Sequence, residues 1–149
     1  IGGLEKEDIT GNVSYEGNNH HKMVSIRSEK IKKLANFIPQ QEIFGKNEGD
    51  LLVIGWGGTY GSLYSAVNNL LNKGENIALC HFNYINPLPK NTEEIFDKYK
   101  KIVVCELNSG QFANYLRMSF QGTIFNQYNK IQGLPFTITE LESHFKRLL

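Results

Sequence analysis

The sequence predicts an α/β domain in three layers, an α/β/α sandwich with helices on both faces of a mainly parallel sheet. Three observations predict it. Short apolar runs alternate along the chain with stretches of helical period, which is the order of a sheet built through helical crossovers. The runs Leu51–Ile54 and Ile102–Cys105 are apolar at every position rather than at every second one, so both faces of those strands are buried. The length of 149 residues matches one domain, and a chain of about that size buries about 68–70% of its unfolded surface without metal or disulfide staples.

Taken in order, residues 1–19 are rich in Gly, Asn and acidic side chains with no sustained apolar period, and read as a connecting arm before a domain over residues 20–149. The opening Ile1-Gly2-Gly3 lacks a methionine, which suggests a processed product or a piece of a longer polypeptide. From His20, the residues Met23, Val24, Ile26, Ile31, Leu34, Ala35 and Ile38 recur at helical spacing among Arg27, Lys30, Lys32 and Lys33. That predicts an amphipathic helix ending near Pro39, its basic side a solvated face. Leu51–Ile54 is the first strand, Gly55 to Gly61 a glycine-rich turn, and residues 62–72 a helix closed by Lys73-Gly74, a cation in the last turn and Gly just past it. A strand over 76–82 ends in the loop 83–89. Asn91-Thr92-Glu93-Glu94 opens a helix with a capping side chain and an acidic first turn. A third strand over 101–107 leads through Asn108-Ser109-Gly110 into a helix over 111–120. A short run near 122–127 and a closing helix over 137–149 complete the chain, which has no internal repeat.

Composition excludes several function classes. Sixteen Lys+Arg against 15 Asp+Glu leave a net charge of +1, which gives no general pull toward nucleic acid or anionic membrane. With no run of membrane-spanning length and no signal-peptide layout the expectation is a soluble protein, and two cysteines read as free thiols point to the reducing cytoplasm. Cys80 and Cys105 are too few for a cluster held by four thiolates and read as small buried hydrophobes. His20, His21, His81 and His144 have no nucleophile elbow to serve, and adjacent His20-His21 do not face one site, so neither a triad nor a metal site is expected.

The glycine turn is the obvious phosphate cradle, but its spacing is imperfect. A dinucleotide fingerprint wants glycines at 55, 57 and 60, whereas Tyr60 holds the third place and Gly61 comes one late. His81-Phe82-Asn83 stand where a ribose-binding carboxylate belongs, and no Lys-Ser or Lys-Thr follows the glycines. Glu106 ends the third strand, where ligands of open α/β sheets gather, and with Asn108 and Gln111 it places polar groups at one rim. A carboxylate capping the next helix is the competing reading of Glu106.

These pieces resemble, in order, the C-terminal domain of the alpha subunit of 2-oxoacid:ferredoxin oxidoreductases, particularly the 2-oxoglutarate type. The matching residues are Gly3-Leu4-Glu5, the helix with Asn19-His20, Lys22-Met23, Arg27 and Lys30, the turn Gly55-Trp56-Gly57 with Thr59-Tyr60-Gly61, Pro87-Leu88-Pro89, and Glu106 to Gln111. Lys6 departs from the His often found after Gly-Leu-Glu in that family. The resemblance implies a fold like the transketolase C-terminal domain, a five-stranded sheet with one strand antiparallel. It implies a structural and assembly domain, inactive alone, within an enzyme that uses thiamine diphosphate, magnesium, an iron–sulfur cluster and coenzyme A. No ligand set for those groups is identifiable in these residues. The implied partners are a pyrimidine-binding domain of the same subunit, a beta subunit and, indirectly, ferredoxin. Gly57, Thr59, Gly61, Glu106, Asn108 and Gln111 are the expected rim facing a partner domain. An independent module binding a nucleotide or coenzyme A phosphate at the same rim is the alternative from another class, and a pyruvate or branched-chain enzyme the alternative within the family.

Overall fold

Helix α1 (Gly17–Leu34), the two-residue strand β1 (Phe44–Gly45), β2 (Gly49–Trp56), a 3₁₀ turn (Gly57–Thr59), α2 (Tyr60–Asn72), β3 (Ile77–Phe82), α3 (Thr92–Phe96), β4 (Tyr99–Glu106), α4 (Gln111–Ser119), β5 (Phe125–Asn129) and α5 (Ile138–Leu148) follow one another in the computed structural model. The structure describes residues 3–149; Ile1 and Gly2, which open the expected connecting arm, lie outside the described residues. The sheet order is β1-β3-β2-β4-β5, with β1 antiparallel to β3 and every other pair parallel. The five-stranded, mostly parallel sheet with one antiparallel strand is therefore present.

Alternation along the central strands divides the core. Leu52, Ile54, Ala78, Cys80, Ile102 and Val104 face α3 and α4, where Phe96, Phe112 and Leu116 cover them. Leu51, Val53, Ile77, Leu79, Val103 and Cys105 face α2 and α5, where Leu63, Val67, Leu141 and Phe145 cover them. Both faces are dry over Leu51–Gly55 of β2, Ile77–Cys80 of β3 and Ile102–Glu106 of β4, which is why those runs carry no polar alternation. From β2 the chain moves to one side for β3 and returns to the other for β4, so the strand order reverses between β2 and β4. Their carboxyl ends form the crevice where ligands of such sheets gather.

Local signals explain the helix ends. Gly74 has φ +89°, and the N–H groups of Gly74 and Glu75 donate to the carbonyls of Leu71 and Leu70, closing α2 as Lys73-Gly74 predicts. Thr137 and Glu140 form a reciprocal capping box at the start of α5.

The structure corrects three expectations. The first helix runs from Gly17 to Leu34 rather than from His20 toward Pro39, and none of its residues is buried. Asn91 does not cap α3 with its side chain. Its amide instead accepts from the Gln41 N–H at 2.8 Å and donates to the Gln41 carbonyl at 3.0 Å, pinning the segment before β1. The last strand is shifted to Phe125–Asn129, where it pairs with Ile102–Glu106 of β4. Part of the N-terminal segment also packs against α1. Lys6 and Val13 form an antiparallel bridge, and Glu5 takes both guanidinium nitrogens of Arg27 at 3.1 and 3.0 Å. Those bonds to Arg27, helped by the Lys6 N–H and His20, hold the Glu5 carboxyl down at about 2.

Candidate functional site

The crevice between β2 and β4 is filled from within. Glu106, the last residue of β4, is 1% exposed. Its Oε1 accepts from Trp56 Nε1 at 3.1 Å, Asn108 Nδ2 at 3.1 Å and the Phe112 N–H at 2.8 Å, while Oε2 accepts from the Ala113 N–H at 3.0 Å. Asn108 Oδ1 takes the next two donors, the N–H groups of Gly110 at 2.7 Å and Gln111 at 3.0 Å. A helix start leaves about four N–H groups without an intrahelical partner. At α4 those of Gly110, Gln111, Phe112 and Ala113 are all taken by the chain's own side chains. Glu106 thus stands where a bound anion would sit, and the positive end of the helix is compensated by a resident carboxylate.

Sequence makes this local fold. Gly110 adopts φ +93° ahead of α4, a left-handed turn that favours glycine. A Cβ there would also come within 2.2 Å of Gln127 Nε2. Gly55, in β2, lets α2 approach the sheet closely, since a Cβ would fall 2.2 Å from Leu63 Cδ1. Trp56 ties the two halves of the rim together, its indole donating across to β4 and its ring standing edge-on to Phe112 at 6.2 Å.

The six expected rim residues separate accordingly. Thr59 and Glu106 are buried, with Thr59 Oγ1 donating to the Trp56 carbonyl at 2.8 Å, so their side chains act as internal struts of the rim. Asn108 is half-buried and bonded to Glu106; Gly57, Gly61 and Gln111 are exposed. Gly57 has φ +59°, so a bulky residue there is strained by its backbone, whereas Gly61 has open space around its Cβ direction.

A second concavity on the β3 side was not singled out from sequence. It encloses about 1010 Å³ and is lined by Gln41, Phe44, Gly57, Tyr60, His81 and Tyr84 among others. The residues after β3 at its carboxyl end, Asn83 and Tyr84, carried the one signal that pointed there. His81 meets Tyr60 edge-on at 5.1 Å, and its Nε2 has no hydrogen-bond partner. Burial lowers its pKa, opposed by the Gly57 backbone, so the ring is neutral at neutral pH. The lining contains no lysine or arginine. This is an aromatic and amide-walled groove with one carboxylate, Glu42, on its wall and without the cations that hold a phosphate, and the phosphate-binding reading of the rim gains nothing from it.

The two thiols and the α4 terminus do not suit the iron–sulfur and diphosphate groups implied by resemblance. Cys80 and Cys105 lie in opposite core layers, and burial pushes both thiols up, away from the thiolate form that ligates iron. Among the described residues no group of three or more His, Cys, Asp or Glu side chains could hold a metal. The α4 terminus, sealed by Glu106 and Asn108, has no free donors for a diphosphate.

Residues 49–141, more than half of the chain, match the family model described as pyruvate:ferredoxin oxidoreductase core domain II. The chain belongs to this family. Similar proteins agree with that assignment. Core domain II here is 36% identical over 142 residues to the 2-oxoglutarate oxidoreductase subunit KorA of Mycobacterium tuberculosis, covering 95% of this chain and 21% of that one. It is 26% identical over 145 residues to the alpha subunit of 2-oxoacid:ferredoxin oxidoreductase 1 of Aeropyrum pernix, covering 92% and 22%. A solved 2-oxoglutarate:ferredoxin oxidoreductase from Magnetococcus marinus, with 2-oxoglutarate, coenzyme A and succinyl-CoA bound, superposes with a TM-score of 0.87 at 26% identity over 96% of this chain and 25% of that chain. A split-gene transketolase superposes at 0.55 with 11% identity over 75% of this chain and 42% of that chain, a likeness of fold alone. The chain spans about a fifth of the curated relatives it matches. Among the described residues no helix is long and apolar enough to cross a membrane.

Proposed function

We propose that this core domain II is the C-terminal structural and assembly domain of a thiamine-diphosphate-dependent 2-oxoglutarate:ferredoxin oxidoreductase. The whole enzyme converts 2-oxoglutarate and coenzyme A to succinyl-CoA and carbon dioxide, with the electrons passed to ferredoxin, in the cytoplasm. Residues 1–19 serve as the connecting arm and 20–149 as the domain that packs on a pyrimidine-binding domain and a beta subunit. One observation carries the non-catalytic role. The strand-end crevice where this architecture takes ligands is closed by Glu106 and Asn108, which use up the α4 donors. Similarity to KorA and to the 2-oxoglutarate enzyme of M. marinus favours 2-oxoglutarate over pyruvate or a branched-chain substrate.

The test is 2-oxoglutarate- and coenzyme A-dependent dye reduction by the co-expressed subunits, with and without residues 1–149, alongside the size of each complex. Activity and assembled complex are expected to be lost together. An intact complex that has lost activity would contradict the proposal, because the domain would then supply groups to the reaction itself.

A further inference from the structure

Helix α1 is amphipathic, yet it buries nothing. Ile31 and Leu34 are 40% and 43% exposed, and Phe37, in the turn that follows, is 82% exposed. Helices of this kind draw most of their stability from packing an apolar face, so an uncovered stripe calls for a cover. The chain's own arm covers only the N-terminal half. There Glu5 holds Arg27 and His20, Asp8 holds Lys22 at 2.8 Å, and Asn19 Nδ2 donates to the Lys6 carbonyl at 2.9 Å.

Beyond Arg27 the arrangement changes. Ile31 and Leu34 fall at i and i+3 on one stripe, Phe37 and Ile38 follow in the turn after the helix, and Lys30 and Lys33 stand three apart on the adjoining flank. Lys22, Arg27 and Lys32 each have a carboxylate partner within the chain. Among the described residues Lys30 and Lys33 have none. We infer that the second half of α1, with Phe37, is a docking bar for another part of the same oxidoreductase complex, an apolar surface edged by aspartate or glutamate carboxylates. The inference rests on the assembly reading above. Two arguments select this occupant. A second copy of α1 packed two-fold on the first would set like charges together. The chain also spans only 21% of the KorA subunit and 25% of the M. marinus chain, so on the reading that it belongs to an enzyme of that kind most of the polypeptide lies outside it and can supply the cover.

The experiment is zero-length carbodiimide coupling of the assembled complex, which joins an amine to a carboxylate only when the two are in contact, followed by peptide mass spectrometry. Lys30 or Lys33 is expected to be joined to an Asp or Glu outside residues 1–149. In the Lys30→Glu/Lys33→Glu complex, and separately in Leu34→Asp, amide exchange over residues 31–34 should rise at least tenfold. Lysines left unlinked, lysines linked between copies of this chain, or binding of the complex to anionic phosphatidylserine vesicles through these lysines would each overturn the inference. The two readings fail differently. A complex that survives deletion of residues 1–149 defeats the assembly role, whereas one that dissolves on deletion but leaves Lys30 and Lys33 unlinked defeats only the docking bar.

Discussion

Replacing Glu106 by alanine removes the group that closes the strand-end crevice. The N–H groups of Phe112 and Ala113, the Trp56 indole and the Asn108 side-chain amide lose their acceptor. Each buried donor left unsatisfied costs about 1–3 kcal/mol. Loss of a carboxylate at a helix N-terminus adds about 0.3–1 kcal/mol. Water entering the vacated space recovers part of this, and a loss of about 3–5 kcal/mol follows, against a total stability of about 5–15 kcal/mol. Glu106→Gln keeps one oxygen for Trp56 and Phe112 but turns an NH₂ toward the Ala113 N–H, and should cost about 1–2 kcal/mol. Urea unfolding followed by far-ultraviolet circular dichroism gives both values. Trp56, the only tryptophan, reports the site directly, because its indole bond goes to Glu106. An alanine variant within about 1 kcal/mol of wild type, with unchanged Trp56 emission, would refute the resident-anion account of α4.

Gly55→Ala would set a Cβ 2.2 Å from Leu63 Cδ1 and 2.8 Å from Thr59 Oγ1; overpacking of about 1–3 kcal/mol should lower the urea midpoint. Asn91→Ala frees both backbone groups of Gln41, and hydrogen exchange at the Gln41 amide should accelerate while exchange in β2 stays slow. Burial lowers the pKa of His81, and burial with Arg147 lowers that of His144, which stacks on Tyr128 at 4.1 Å. The unfolded chain therefore binds more protons below the ordinary histidine pKa of about 6.5, and stability present above that pH is lost as pH falls through the folded values. Melting temperature should drop from pH 7.5 to 5.5, and a His81→Phe/His144→Phe variant should flatten that drop; an unchanged slope would count against the burial argument.

The layers of the fold were legible because burial on both faces leaves a mark at every position of Leu51–Ile54 and Ile102–Cys105. Lys73-Gly74 marked the end of α2 because its chemistry is local. Phe44–Gly45 left no such mark, since two residues carry no period and their place beside Leu79 is set by pairing across the sheet. Asn91 was misread for the same reason: its partner, Gln41, lies fifty residues away in sequence. The period of α1 was visible, but a period says that a face will be covered and not by what. At the rim, Glu106 and Asn108 were found from their position at a strand end. Their capping role depends on the Gly110 turn, which brings the α4 amides onto the carboxylate. The groove around Tyr60 and His81 is assembled from three separate segments and carries no contiguous motif.

The central claim, that this domain assembles the oxidoreductase without entering its chemistry, is tested most directly at the exposed part of the rim. Gly61 and Gln111 both face solvent, and a Cβ added at Gly61 would meet no atom within 4 Å. The Gly61→Trp/Gln111→Trp variant of the full subunit, co-expressed with its partner, should keep the circular dichroism of the domain yet sediment as separated subunits, with dye reduction falling in proportion to the complex lost. A complex of unchanged size and rate would contradict the claim.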